Sequence, residues 1–307
     1  MRLAVLGRTH WLLDSARALL RAGHSITFVA TAPAAPEYRA TAEDFAKLAK
    51  EAGAAFFEDV DCNAPAFIQT LRKSGAEIGV SMNWPKLIGP ETCAAVARGI
   101  LNAHAGDLPR YRGNACPNWA ILNGESHVGL CVHAMDPAEI DAGPIFARTS
   151  FALSADTHIT EVYEWLSNAV PDLYVKAIAN AANPSFTPED QQASGARPLR
   201  CHPRRPEDGL IDWKASAENI CRLVRASSRP FAGAFSFLDG ARRVTVWRAR
   251  LAALNQDLSA VPGQILGRGS GGGVLVATGA GVLELTETSL DEGRLPASNR
   301  YRLTNAR

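Results

Sequence analysis

The 307-residue chain has no C-x-x-C pair, no apolar run of membrane-spanning length, no large excess of charge and no glycine-rich nucleotide signature. Each absence excludes a class of protein. Cys62, Cys93, Cys116, Cys131, Cys201 and Cys221 are scattered, and several lie among apolar neighbours, as Cys131 does in GLCVHA. That pattern argues for buried, reduced thiols in a cytoplasmic protein and against disulfides or zinc. A membrane helix needs about 18 consecutive apolar residues, so no membrane partner is expected. The opening MRLAVLGRTHW has a short apolar run followed by a charge, and it reads as a first strand and not a signal peptide. The net charge of +1 supplies no global field to attract nucleic acid or an acidic surface. The turn LGRTHW lacks G-x-G-x-x-G, which argues against an NAD site. The stretch GRGSGGG at Gly267–Gly273 lacks the Lys-Ser/Thr of a phosphate-binding loop and reads as a flexible hairpin tip.

What is present is an α/β chain long enough for two cores. Its hydrophobic fraction of 47% and charged fraction of 21% are those of a soluble globular protein. Strand, helix and strand at Arg2–Leu6, Trp11–Ala22 and Ser25–Ala30 make a βαβ unit. Further helices are expected over Glu43–Gly53, Ala64–Lys73, from near Pro90, over Asn114–Asn123 and over Thr157–Ala182, the last capped by Asp156 or Thr157. Strands alternate with them at Phe56–Phe57, Glu77–Ser81, Ile100–Asn102, Val128–Ala134 and Gly143–Arg148. This alternation predicts a Rossmann-like, mostly parallel sheet with helices on both faces over residues 1–188. Residues 189–205 are polar and rich in Pro, Gln, Ser and Arg, and read as a linker. Residues 206–307 bring a helix at Ala215–Ser227 and then short β-rich runs at Ala234–Leu238, Val244–Leu251, Gly263–Leu266, Gly273–Ala277 and Val282–Glu287. Short strands with glycine-rich turns predict a small, open, OB-like barrel.

The chemistry gathers between Gly99 and Ala147. Asn102 and His104 sit two apart, so on an extended segment their side chains face the same way. A carboxamide can donate to an oxygen that gains negative charge, and an imidazole can move a proton. Asp141 can fix the tautomer of that imidazole and favour its charged form. These are the parts of an acyl-transfer site, and ligands of a parallel sheet bind beyond the carboxyl ends of its strands, where both Asn102 and the MDPAEID loop are expected. Taken singly, an Asn at a strand end caps a turn and an Asp before Ala-Gly belongs to one. His133, inside GLCVHA, reads as a satisfied core histidine. The other histidines, His10, His24, His127, His158 and His202, read as surface or cap residues.

The stretch resembles the folate-dependent formyltransferase family. The match runs through Asn102-Ala103-His104, Leu108-Pro109, Tyr111-Arg112-Gly113, Pro117-Asn118-Trp119, Asn123-Gly124-Glu125 and Asp141-Ala142-Gly143-Pro144-Ile145. It continues through Arg204 to Gly209, Ile211-Asp212-Trp213, Arg225 and PFAGAFSFLDG. The chain differs from the usual family pattern at Gly106, where a Ser is common, at Asp107, where a Leu is, and at Asn114, where some relatives have Arg. The resemblance implies N10-formyltetrahydrofolate as donor, a primary amine as acceptor and no metal. It implies Asn102, His104 and Asp141 as the catalytic residues. It places the pterin against Lys86, Leu87 and Ile88, Asn114, and the loop Asp136, Pro137, Ala138, Glu139 and Ile140. The plain alternative for Leu87 and Ile88 is core.

Three acceptors fit such an enzyme: a nucleotide-linked amino sugar, initiator methionyl-tRNA and glycinamide ribonucleotide. The last goes with relatives that lack the second domain. A tRNA partner asks for a basic loop after the second strand, because phosphate contacts dominate such affinity. The loop here is TAPAAPEYRATAEDF, with Arg39 alone among acids. A sugar nucleotide, as in the aminoarabinose-type formyltransferases of lipopolysaccharide modification, is the preferred partner, with Arg110, Arg112 or Arg205 available for its diphosphate. A homodimer is possible on this fold, and a non-catalytic folate- or nucleotide-binding module is the contrasting reading.

Overall fold

The computed structural model describes residues 1–253 and 258–305. The chain divides into two compact units, each drawn from separate stretches of sequence. The first takes in Met1–Cys116, Val128–Phe151 and Tyr163–His202, and the second Pro117–His127, Ala152–Val162 and Pro203–Arg307.

The order of elements follows the alternation in the sequence. Strand β1 (Arg2–Gly7) leads to helix α1 (His10–Arg21), β2 (Ser25–Thr31), α2 (Ala42–Ala52), β3 (Ala55–Glu58), α3 (Pro65–Lys73), β4 (Ile78–Met82) and α4 (Pro90–Cys93). Local chemistry fixes the ends. Thr9 caps α1 by accepting from the Leu12 amide, Thr41 and Asp44 form a capping box on α2, and Gly53 closes α2 at φ 66°. Then come β5 (Ile100–His104), β6 (Tyr111–Gly113), α5 (Cys116–Leu122), β7 (His127–Ala134), β8 (Ile145–Ala152) and α6 (Ile159–Ala182). Helix α6 begins after both residues expected to cap it, and the His158 amide donates instead to the Glu161 carboxylate, 2.5 Å.

The first unit's sheet has the order β3-β2-β1-β4-β5-β7-β8. From β3 to β5 the pairing is parallel, and β7 then runs antiparallel to β5. Central β1 is buried on both faces, as parallel sheets require. Leu3 and Val5 pack with α1, α2 and α6, while Ala4 and Leu6 pack with Phe67 and Leu71 of α3 and Cys93 of α4. Residues 189–205, expected as a linker, contain a 3-10 turn at Gln191–Ser194 and strand β9 (Leu199–Cys201), which pairs in parallel with β6. Both strands have three residues, too short for a periodic signal.

In the second unit α7 (Ala217–Ser227) packs against a sheet of β10 (Ala234–Leu238), β11 (Arg242–Ala252), β12 (Ile265–Arg268), β13 (Val274–Ala277), β14 (Val282–Leu290) and β15 (Leu303–Thr304). The order is β12-β13-β14-β11-β10-β15, and neighbouring strands run antiparallel. The sheet curls until a Gln264–Arg302 bridge joins its two edges, with Leu303 donating to the Gly263 carbonyl at 2.8 Å. Closing a sheet in this way protects its edge strands. Gly267–Gly273 spans the end of β12 and the tip of the β12–β13 hairpin. Among the described residues, no helix is long and apolar enough to cross a membrane.

Candidate active site

Strand β5 carries Asn102, where the expected strand ended, and runs two residues further to include His104. Ala103 between them points away, and its amide donates to the Tyr174 hydroxyl of α6 at 2.8 Å. That hydroxyl donates in turn to the Ser81 carbonyl of β4. A fully buried tyrosine therefore fixes the backbone between the two site residues.

Asn102 and His104 do lie at the carboxyl end of a parallel strand. The MDPAEID loop does not start there. Because β7 is antiparallel to β5, Ala134 lies beside Leu101, and Met135 donates to the Ile100 carbonyl at 2.8 Å. The loop leaves at the other end of β5 and returns Asp141 to His104. Two backbone features allow this. Asp141 sits at φ 53°, a left-handed conformation unusual for a residue with a side chain. At Gly143 a Cβ would come within 2.0 Å of the Ala134 carbonyl oxygen, so no larger residue fits.

Asp141 Oδ2 accepts from the Gly113 amide at 2.8 Å and lies 3.5 Å from His104 Nδ1. Its Oδ1 lies 3.4 Å from His133 Nε2. Burial by itself raises the Asp141 pKa, but His104, His133 and the Gly113 amide outweigh burial and hold it well below the usual carboxylate range. Side-chain exposure is 12% for Asp141, 8% for His104 and 1% for His133.

His133 is thus buried as read, but it is more than a core histidine. It pairs in register with Asn102, its Nδ1 donates to the Ala134 carbonyl at 2.8 Å, and Asn102 Nδ2 lies 3.4 Å from its Nε2. Its place opposite Asn102 was concealed by apolar neighbours on the same strand.

His104 Nε2 donates to the Tyr111 carbonyl at 2.6 Å, and the Cys116 thiol lies 3.6 Å from the same nitrogen. The contact depends on Gly106: a Cβ there would come within 2.3 Å of the Tyr111 oxygen and 2.4 Å of His104 Nε2. The glycine that departs from the family pattern is what admits this carbonyl. The Cys201 thiol, through a hydrogen bond, and burial push the Cys116 thiol far above its ordinary pKa, so it is a neutral neighbour of His104.

The other expected residues divide. Leu87 is 72% and Ile140 38% exposed, so two apolar side chains face solvent, one on each of the expected pterin loops. Lys86, Asn114, Asp136, Pro137, Ala138 and Glu139 are exposed as well. Ile88 is buried and packs with Trp84, Cys93 and Met135, so both loops grow from one apolar cluster. Arg112 is unsuited to a diphosphate. It is buried, with Nη1 on the Glu139 carboxylate and Nη2 donating to Gln191 Oε1 at 2.9 Å. Gln191 lies in the segment read as a linker and carried no signal in the sequence.

A carboxamide, an imidazole and an ionised carboxylate meeting at one place can stabilise an oxyanion and carry a proton. Comparison with known proteins agrees with that chemistry. Residues 1–178 match the formyl transferase family and residues 204–300 the formyl transferase C-terminal domain. The chain is 30% identical over 305 residues to a methionyl-tRNA formyltransferase of Citrifermentans bemidjiense, covering 97% of this chain and 92% of that one. Its fold resembles WlaRD, a sugar 3N-formyl transferase solved with dTDP and 5-N-formyl-THF, at a TM-score of 0.66 and 15% identity over 96% of this chain and 99% of that one. It also resembles HypX of Aquifex aeolicus solved with tetrahydrofolic acid, at a TM-score of 0.59 and 18% identity, covering 95% of this chain but 44% of HypX. With both halves matched by the family's two domain models and a curated relative aligned almost end to end, the chain belongs to the formyl transferase family.

Proposed function

We propose that this protein transfers the formyl group of N10-formyltetrahydrofolate to the primary amine of a nucleotide-linked amino sugar. The meeting of Asn102, His104 and Asp141 carries the reading. The attacking amine adds to the formyl carbon as the carbonyl π bond opens onto oxygen, and the bond from that carbon to folate N10 then breaks as the carbonyl re-forms. The Asn102 carboxamide donates to the carbonyl oxygen as it becomes an oxyanion, an interaction typically worth about 10²–10³ in rate. Once Nε2 leaves the Tyr111 carbonyl and the ring proton sits on Nδ1 against Asp141, His104 takes the proton released by the amine at Nε2 and returns it to the departing folate nitrogen. Asp141 balances the charge that develops on His104. Leu87 and Ile140 offer apolar contacts to the flat pterin, with Lys86, Ile88, Asn114 and Asp136 to Glu139 around them. No step in this scheme calls for a metal, because the nucleophile is already an amine.

The loop between β2 and α2 favours a small acceptor. It is pinned to its own unit: Asn83 Nδ2 donates to the Tyr38 hydroxyl at 2.5 Å, and Arg8 donates to the Pro33 carbonyl at 2.9 Å. It presents Arg39 as its one cation, little for a nucleic-acid backbone. The 30% identity to a methionyl-tRNA formyltransferase favours a second reading, formylation of initiator methionyl-tRNA.

The test is formyl transfer from N10-formyltetrahydrofolate to a panel of 3-amino- and 4-amino-sugar nucleotides and to charged initiator tRNA. Turnover of a sugar nucleotide alone is the expected result. Turnover of tRNA alone replaces the first reading by the second, and folate binding with no turnover of any acceptor favours the non-catalytic module. His104→Ala should abolish turnover and leave folate binding; near wild-type activity in that variant would sink the mechanism.

A further inference from the structure

We propose that Gln191 is a positioning residue for formyl transfer, holding the backbone of Asp141 and Gly143 so that the Asp141 carboxylate stays against His104. This rests on the catalytic reading of the site given above.

Gln191 lies 50 residues from Asp141 in sequence and is 1% exposed. Its Nε2 donates to the Asp141 carbonyl at 2.9 Å and to the Gly143 carbonyl at 2.7 Å, while its Oε1 accepts from Arg112 Nη2 at 2.9 Å. One neutral carboxamide thus spends both donors on the catalytic loop and its acceptor on a buried cation. No other common side chain of that length supplies two donors and an acceptor without charge.

The loop needs such a brace. A non-glycine residue at positive φ persists only where its surroundings over-determine it. Asp141 at φ 53° is held through its side chain by Gly113 and through its carbonyl by Gln191. The segment that delivers Gln191 is itself anchored. Glu189 and Ile145 exchange backbone hydrogen bonds of 2.8 and 2.9 Å, and β9 pairs with β6, the strand that supplies both Gly113 and Arg112. Arg112 closes the circuit by reaching Glu139 of the same loop.

Two variants test this: Gln191→Ala and the near-isosteric Gln191→Glu, which keeps an acceptor for Arg112 and turns its second oxygen, an acceptor in place of a donor, towards both carbonyls. Misplacement of a catalytic group by about 1 Å can cost about 10²-fold. Both variants should lose about 10- to 100-fold in kcat, with the folate dissociation constant unchanged within about twofold. The Gly113 amide, which reads the position of the Asp141 carboxylate without any turnover, should exchange its hydrogen about tenfold faster in both. Wild-type kcat in Gln191→Glu overturns the proposal, as does unchanged Gly113 protection or a parallel loss of folate binding. Should Gln191→Ala fail to fold, Gln191→Glu decides alone. A wild-type protein that turns over no acceptor refutes the catalytic reading, and the Gly113 measurement then still decides whether Gln191 places Asp141.

Discussion

Asp141 in the first unit and Glu284 in the second are both carboxylates largely shielded from solvent and held below their ordinary pKa, and they are surrounded differently. Glu284 is held down chiefly by its hydrogen bonds with Arg250, aided by the Gly273 amide, against the opposing effect of burial. Arg250 reaches it at 2.7 and 2.8 Å and the Gly273 amide at 3.0 Å, and a Cβ on Gly269, Gly271 or Gly273 would come within 3.0 Å of its carboxylate or its side chain. That carboxylate fastens the glycine-rich hairpin, and its partner carries a permanent charge. Asp141 faces two imidazoles, groups that can take up and release a proton. A buried carboxylate paired with arginine builds structure. One set between histidines, with a carboxamide in reach, is equipped to answer charge that comes and goes.

The largest expected effect separates the two directly. On the proposed mechanism Asp141→Asn should lower kcat by about 10²–10⁴, because the group proposed to balance charge on His104 is lost while the shape is kept. Steady-state formyl transfer measures this, and a loss under tenfold would show that His104 works without it. Glu284→Gln should instead leave kcat within about twofold and lower stability by about 1.5–3 kcal/mol, the range for a hydrogen bond to a charged group. Thermal unfolding reads that change; an unchanged midpoint would mean that Arg250 and the hairpin find other partners.

Acid provides a third, graded comparison. Both carboxylates titrate lower in the folded protein than when unfolded, so each contributes stability that is present above about pH 4 and lost as pH falls further. Denaturant unfolding of the wild type should therefore steepen in its pH dependence below that point. Asp141→Asn and Glu284→Gln should each flatten it, and a slope unchanged in either variant would show that its carboxylate is not depressed.

How much of this could be read beforehand follows from the range of the interactions. Asn102 and His104 were legible because a strand places residues two apart on one side, and the strand itself is a short apolar run. The two-layer core of β1 was legible for the same reason. Asp141 reads by itself as an ordinary residue of an Asp-Ala-Gly turn and was singled out only by the resemblance that joins it to Asn102 and His104; the direction of its loop was not legible, since nothing in β7 marks it as antiparallel. Gln191 was invisible. It sits in a polar, proline-containing segment without period, and its contacts reach 48 and 50 residues back to main-chain carbonyls. His133 failed differently: the alternation that placed it in the core was correct, but alternation does not say which buried neighbour a side chain meets.

His133 supplies the smallest expected effect and the sharpest internal comparison, since both imidazoles touch Asp141 through different oxygens. His104 has its Nε2 beside the Cys116 thiol and the Tyr111 carbonyl, close to exchangeable partners. His133 is the more deeply buried and spends its Nδ1 on the adjacent Ala134 carbonyl, which leaves it no second nitrogen to offer a substrate. Its part is then to steady the far side of Asp141 and the Asn102 carboxamide. His133→Gln should cost about 1 kcal/mol of transition-state stabilisation, a fall of about fivefold in kcat. A loss as large as that of Asp141→Asn would reverse the assignment, making His133 the proton carrier and His104 the support, and Asn102 would then act next to the carrier across the β5–β7 pair instead of along its own strand.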